Sequence, residues 1–232
     1  MKRSKTILLS ALVTPLCLMG GVVIAILLGS LVFEGLPGHM RETWRIASAV
    51  VVALSGLLAG GALWGLAMVG IHRTGNQRRT VLTSALGFGV TTILVGLVLT
   101  RLEILTVEQG SGPQLPIHRI FTLLFAPAAA VIAGVGAGSL GIGFMDRRLA
   151  TRLALGSALA GGLAFLCVNL TMEALGWVVG APGAAERATM LTVMFSGNLA
   201  AALVGGAVIG AVMTKRKGRG QTMGVNVAAH EF

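Results

Sequence analysis

Charge is what this sequence has least of. Of 232 residues only 11% are Asp, Glu, Lys or Arg, where soluble domains carry roughly a quarter. With 55% hydrophobic residues and a mean hydropathy of +0.87, that deficit excludes a soluble enzyme and a disordered chain. Cysteine is also scarce. Cys17 and Cys167 both fall inside apolar runs without Cys-x-x-Cys spacing, so a disulfide scaffold, a thiol redox centre and a zinc site lack support. Both thiols read as small buried apolar groups. Tyrosine is missing altogether, leaving Trp44, Trp64 and Trp177 as candidate interface anchors. No Walker loop, His-Glu-x-x-His, nucleophile–base set or paired intramembrane aspartates occur, which argues against an enzyme.

Long apolar runs are what the chain does have. Six membrane-spanning helices are expected, at 7–33, 45–71, 81–101, 119–144, 152–179 and 188–213. Each covers a hydrocarbon core of about 30 Å at roughly 1.5 Å per residue. The first run exceeds the roughly 7–15 residues of a signal-peptide core. Thr14-Pro15-Leu16 ahead of Cys17 lacks the small residue of a lipoprotein cleavage site, so this run reads as a retained first helix. The chain is then one transmembrane domain over 1–219, with 220–232 expected as a disordered cytoplasmic tail.

Charge placement sets the orientation. Thirteen of the eighteen Lys and Arg residues cluster at 2–5, 73–79, 147–152 and 215–219; the other five are Arg41, Arg45, Arg101, Arg119 and Arg187. The positive-inside rule puts both termini in the cytoplasm, in a membrane of the prokaryotic cytoplasmic (inner) type. A net charge of +10 would suggest nucleic acid in a soluble chain. Here the cations sit between apolar runs, so no nucleic-acid partner is expected, and the basic loops suit anionic lipid or an acidic partner.

An internal repeat runs through the sequence. Lys5-Thr6-Ile7-Leu8-Leu9-Ser10-Ala11-Leu12 recurs 74 residues on as Arg79-Thr80-Val81-Leu82-Thr83-Ser84-Ala85-Leu86. The same shift carries Arg45 to Arg119 and Arg73 to Arg147, and a shift of 68 carries Arg119 to Arg187 and Arg147 to Lys215. Three tandem parallel helical-hairpin repeats are expected, at about 1–74, 75–148 and 149–219, around an axis along the membrane normal. Mitochondrial carriers share that plan but place Pro-x-[Asp/Glu]-x-x-[Lys/Arg] on each odd helix. Pro15 is followed here by Leu16-Cys17, and helices 3 and 5 hold no proline, so the chain departs from that family.

The even helices are glycine-rich, and Gly56/Gly60, Gly61/Gly65, Gly134/Gly138, Ala201/Gly205 and Gly206/Gly210 are each four apart. That spacing lets helix backbones approach closely in lipid. Pro15 and Pro127 predict kinks. His39 and His118 fall outside the spans, which disfavours haem ligation across the bilayer.

Glu173 is the one carboxylate expected at membrane depth. Gly162, Asn169, Glu173 and Gly176 share a helix face, Asn198 reaches a depth similar to Asn169, and Arg119 and Arg187 are placed to neutralise Glu173. An ionisable residue inside a membrane is a functional-site hypothesis by default. Glu173, Asn169, Asn198, Arg119 and Arg187 are therefore the candidate substrate- or ion-binding set among helices 4–6, beside the plainer reading of an ion pair and interhelical glue. The expected function is a small transporter, or the membrane-embedded binding subunit of one. The alternative is a non-catalytic accessory subunit of a larger membrane complex. Lipid, other membrane subunits and a small molecule or ion are the expected partners. The residues name no cofactor, metal or substrate.

Overall fold

A computed structural model describes the backbone of residues 3–35, 40–73, 76–108, 117–175 and 184–228. It also describes their side chains, except at 32–35, 40–50, 52, 96, 99–108, 117–118, 120, 184–191 and 216–228. Six helices follow one another: α1 Arg3–Gly35, α2 Met40–His72, α3 Gln77–Glu108, α4 Ile117–Gly143, α5 Arg147–Ala174 and α6 Ala184–Ala228. Within lipid an uninterrupted helix satisfies every backbone N–H and C=O inside its own segment. Among the described residues five helices are long and apolar enough to cross a membrane: Arg3–Leu31, Ala53–His72, Phe121–Gly143, Arg147–Ala174 and Thr192–Lys215.

The burial pattern is inverted relative to a soluble bundle. Leu16, Ile26, Leu31 and Leu159 are exposed, while the hydroxyl-bearing Ser10, Thr80, Ser84 and Ser157 are buried. A water-soluble helix shows the opposite polarity across its two faces. The architecture is all-helical and membrane-like.

Each helix packs against its neighbours in chain order, and α6 closes on α1, giving a ring in which α4 also reaches α6. Helices consecutive in the chain pack antiparallel, as do α6 and α1. A Cβ added at Gly61 would meet Ser84 of α3, one at Gly206 would meet Ser10 of α1, and one at Gly134 would meet Ala158 of α5. A close crossing joins α1 and α2, where a Cβ on Gly21 would lie 2.5 Å from the Gly56 carbonyl oxygen. No side chain fits there, which is why small residues four apart recur on these faces.

The ends differ from the sequence-based boundaries in instructive ways. α5 begins at Arg147, ahead of the expected 152, because Asp146 caps it: its side chain accepts from the Leu149 backbone N–H at 2.9 Å. At the same end of the bundle Arg73 and Met145 adopt left-handed backbone, with φ of 50° and 58°, ending α2 and α4 in tight turns. α6 carries helical backbone to Ala228, through most of the segment expected as a tail. Extending an existing helix needs no new nucleus.

Two apolar clusters organise the interior. One gathers Trp64, Met68, Leu140, Phe144, Leu153 and Ile209 toward the end where Lys5, Arg73, Arg79, Arg148, Arg152 and Lys215 are exposed. The other joins Phe125, Ala129, Phe165, Val193 and Ala201 across α4, α5 and α6.

Candidate functional site

Arg119 stands in the first turn of α4 and Glu173 in the last turn of α5, so antiparallel packing brings them to one end of the bundle. Arg119 Nε donates to Glu173 Oε1 at 2.6 Å; the Arg119 side chain is 51% exposed and that of Glu173 18%. Charge-assisted hydrogen bonds of this length belong to the stronger class. The arrangement neutralises a carboxylate near the end of a span. Arg187 lies on α6, but its side chain falls outside the described residues, as do Gly176 and Trp177.

Asn169 is 2% exposed and occupies the seam between α5 and α6. Its Nδ2 donates to the Phe165 carbonyl at 3.0 Å, and its Oδ1 accepts from Ser196 Oγ at 3.1 Å. Gly197 leaves room for it, since a Cβ there would sit 2.5 Å from Asn169 Nδ2. Asn169 is thus used in holding two helices together. Its partner is Ser196, two residues before Asn198. Gly162 packs toward Ala130 of α4. The five candidate residues do not converge on one point: Arg119 and Glu173 form a terminal pair, Asn169 a packing contact, and Asn198 points elsewhere.

Asn198 is exposed in the wall of a central cavity of about 450 Å³. All six helices contribute to that wall, chiefly α1, α3, α4 and α6 through Met19, Phe88, Phe125, Ala129 and Leu199. Trp64, Ala137 and Ile209 belong both to the wall and to the apolar cluster at the basic end, so the core seals the cavity on that side. No charged side chain is present among its described lining residues.

The polar atoms of the wall are mostly occupied. Trp64 Nε1 donates to Thr14 Oγ1 at 3.1 Å, Thr14 Oγ1 donates to the Ser10 carbonyl at 2.8 Å, and Thr92 Oγ1 donates to the Phe88 carbonyl at 2.8 Å. Behind this chain Ser10 Oγ and His72 Nε2 share a hydrogen bond at 3.3 Å. Two lining groups differ. The Ser157 hydroxyl is buried without a partner, and Asn198 makes no hydrogen bond among the described residues. Beside them Gly205 faces open space, with nothing within 4 Å of an added Cβ.

The threefold repeat suits a central cavity and a compact bundle equally, and apart from Asn198 the sequence did not name the cavity's lining, which is ordinary apolar residues from six separate segments. The one available hint was a pair of adjacent glycines, Gly205 and Gly206, only one of which is needed for a close crossing. Comparison with protein-family models, with curated proteins and with solved structures found no match.

Proposed function

We propose that the protein is a six-span carrier or substrate-binding protein of a prokaryotic-type cytoplasmic membrane, holding a small molecule in its central cavity. The observation that carries the reading is the cavity itself, ringed by all six helices and closed toward the basic end. Internal sites between helices are common places for small ligands. The exposed cations at that end support a cytoplasmic assignment for both termini. α3 supplies the sixth span, because residues 80–100 contain no Asp, Glu, Lys or Arg, and an even number of crossings keeps both basic termini on one side. The α2–α3 and α6–α1 crossings correspond to within one helical turn, which agrees with the hairpin repeat. A Cβ on Gly61 would lie 3.0 Å from Ala85 Cα beside Ser84, and one on Gly206 would lie 3.0 Å from Ala11 Cα beside Ser10. Those two targets are 74 residues apart.

In this reading the Arg119–Glu173 pair braces α4 against α5, and the substrate is handled at the cavity. The test is Gly205→Cys in a Cys17→Ala/Cys167→Ala background, treated in sealed vesicles with a charged, membrane-impermeant methanethiosulfonate. Modification from the extracytoplasmic side is the expected result. Protection from both sides, and from a membrane-permeant maleimide as well, would overturn the carrier reading, because a cavity reached from neither solution nor lipid cannot load a substrate.

A further inference from the structure

Most hydroxyls in these spans find a partner within their own helix. Thr14, Thr92 and Thr171 each donate to the carbonyl four residues earlier, the usual solution for a helical hydroxyl away from water. Ser157, at 1% exposure, does not. Thr80 and Ser84 are also unpaired, but they press against Gly143 and Gly65 in helix crossings. Ser157 alone of the three stands in the cavity wall.

A second polar group shares that wall. Asn198 presents an amide, at once donor and acceptor, from the second turn of the Thr192–Lys215 span, without a hydrogen bond to any described residue. Around them the surface is hydrocarbon and aromatic, including Trp64, Phe88, Phe125 and Phe195. Burying a charged guest without a counter-charge is prohibitive, and no described lining residue supplies one. A sugar or other polyol would leave most of its hydroxyls unpaired. A plain hydrocarbon chain would leave Asn198 unpaired instead.

We infer that the cavity takes an uncharged, chiefly hydrocarbon molecule bearing a carbonyl or hydroxyl group, which Asn198 recognises while the aromatic and aliphatic wall holds its body. This deepens the proposed carrier function and rests on it. A volume of about 450 Å³ falls within the roughly 300–1,000 Å³ of sites that hold drug-sized molecules. Compounds of isoprenoid or quinone type have this chemistry.

Menadione, a neutral naphthoquinone, and 2-methylnaphthalene, the same ring system without its carbonyls, separate the claims. In a Trp44→Phe/Trp177→Phe background the remaining Trp64 reports from the cavity wall, and menadione should quench it saturably in nanodiscs. The hydrocarbon should displace menadione at least tenfold less effectively, and Asn198→Leu should weaken menadione about tenfold. Gly205→Phe, which fills the open space, should abolish the saturable component. Circular dichroism and thermal unfolding establish that each variant is folded. If 2-methylnaphthalene competes as well as menadione and Asn198→Leu changes neither, the recognition of a polar group is overturned while the binding cavity stands. If quenching is non-saturable and indifferent to Gly205→Phe, the cavity binds nothing of this class and this inference falls, while the carrier reading is decided by the Gly205→Cys accessibility test.

Discussion

Gly205 and Gly206 are neighbours on α6 with opposite surroundings, so one added methyl at each is a stringent test of the packing. At Gly205 a Cβ meets nothing within 4 Å. Gly205→Ala should therefore show only the relief of glycine's backbone freedom in a helix, a stabilisation of up to about 1 kcal/mol. At Gly206 the same Cβ would lie 2.5 Å from the Ser10 carbonyl oxygen, 2.6 Å from Thr14 Oγ1 and 3.0 Å from Ala11 Cα. Two of those atoms are backbone, and the third is the hydroxyl that accepts the Trp64 hydrogen bond. α6 must back away from α1, and overpacking of this kind costs about 1–3 kcal/mol. The two variants should differ by about 1–4 kcal/mol, in opposite directions from the parent. Since each kcal/mol shifts Tm by roughly 2–4 °C for chains of this size, thermal unfolding in one detergent resolves them. Equal stability of the two variants would refute the crossing of α6 over α1 at Gly206.

Three further expectations concern topology and the polar pairs. Single cysteines replacing Gly75, Arg148 and Gly220, in the Cys17→Ala/Cys167→Ala background, should be labelled by an impermeant maleimide only from the cytoplasmic side, Arg148 being exposed at the start of α5. Labelling of Gly75→Cys from outside would break the six-span arrangement. Glu173→Gln should lower stability by at most about 1 kcal/mol, because Arg119 is half exposed and solvent screens the pair. Adding Arg119→Gln should recover part of that loss, and abolished ligand binding with unchanged stability would instead make Glu173 a binding group. Ser196→Ala removes the donor to Asn169 Oδ1 at the α5–α6 seam and should cost about 0.5–2 kcal/mol in denaturant titration. No effect would mean that Asn169 is not what holds the two helices.

Hydropathy and charge placement suffice for the helical class and for the apolar spans, because lipid imposes both on any chain that enters it. Six runs appear in the sequence and six helices in the structure, and the cations clustered in sequence are exposed at one end of the bundle. Depth along a helix is likewise readable from residue number, which is why Arg119 and Glu173, each near the same end of its span, were natural candidates for contact. Rotation about the helix axis is not readable in this way. Ser196 and Asn198 differ by two residues and so face roughly opposite directions on a helix turning about 100° per residue. One meets Asn169 and the other enters the cavity. Gly205 and Gly206 part company for the same reason.

The sequence by itself determined that the chain is helical and apolar, where its spans run, and which of their ends carry the positive charge, since those properties follow from solvation residue by residue. Only the tertiary structure decided which face of each helix meets a neighbour and which is left unfilled. That choice depends on how all six helices pack at once, and it placed an unpaired serine and an asparagine in a cavity that no single segment encodes.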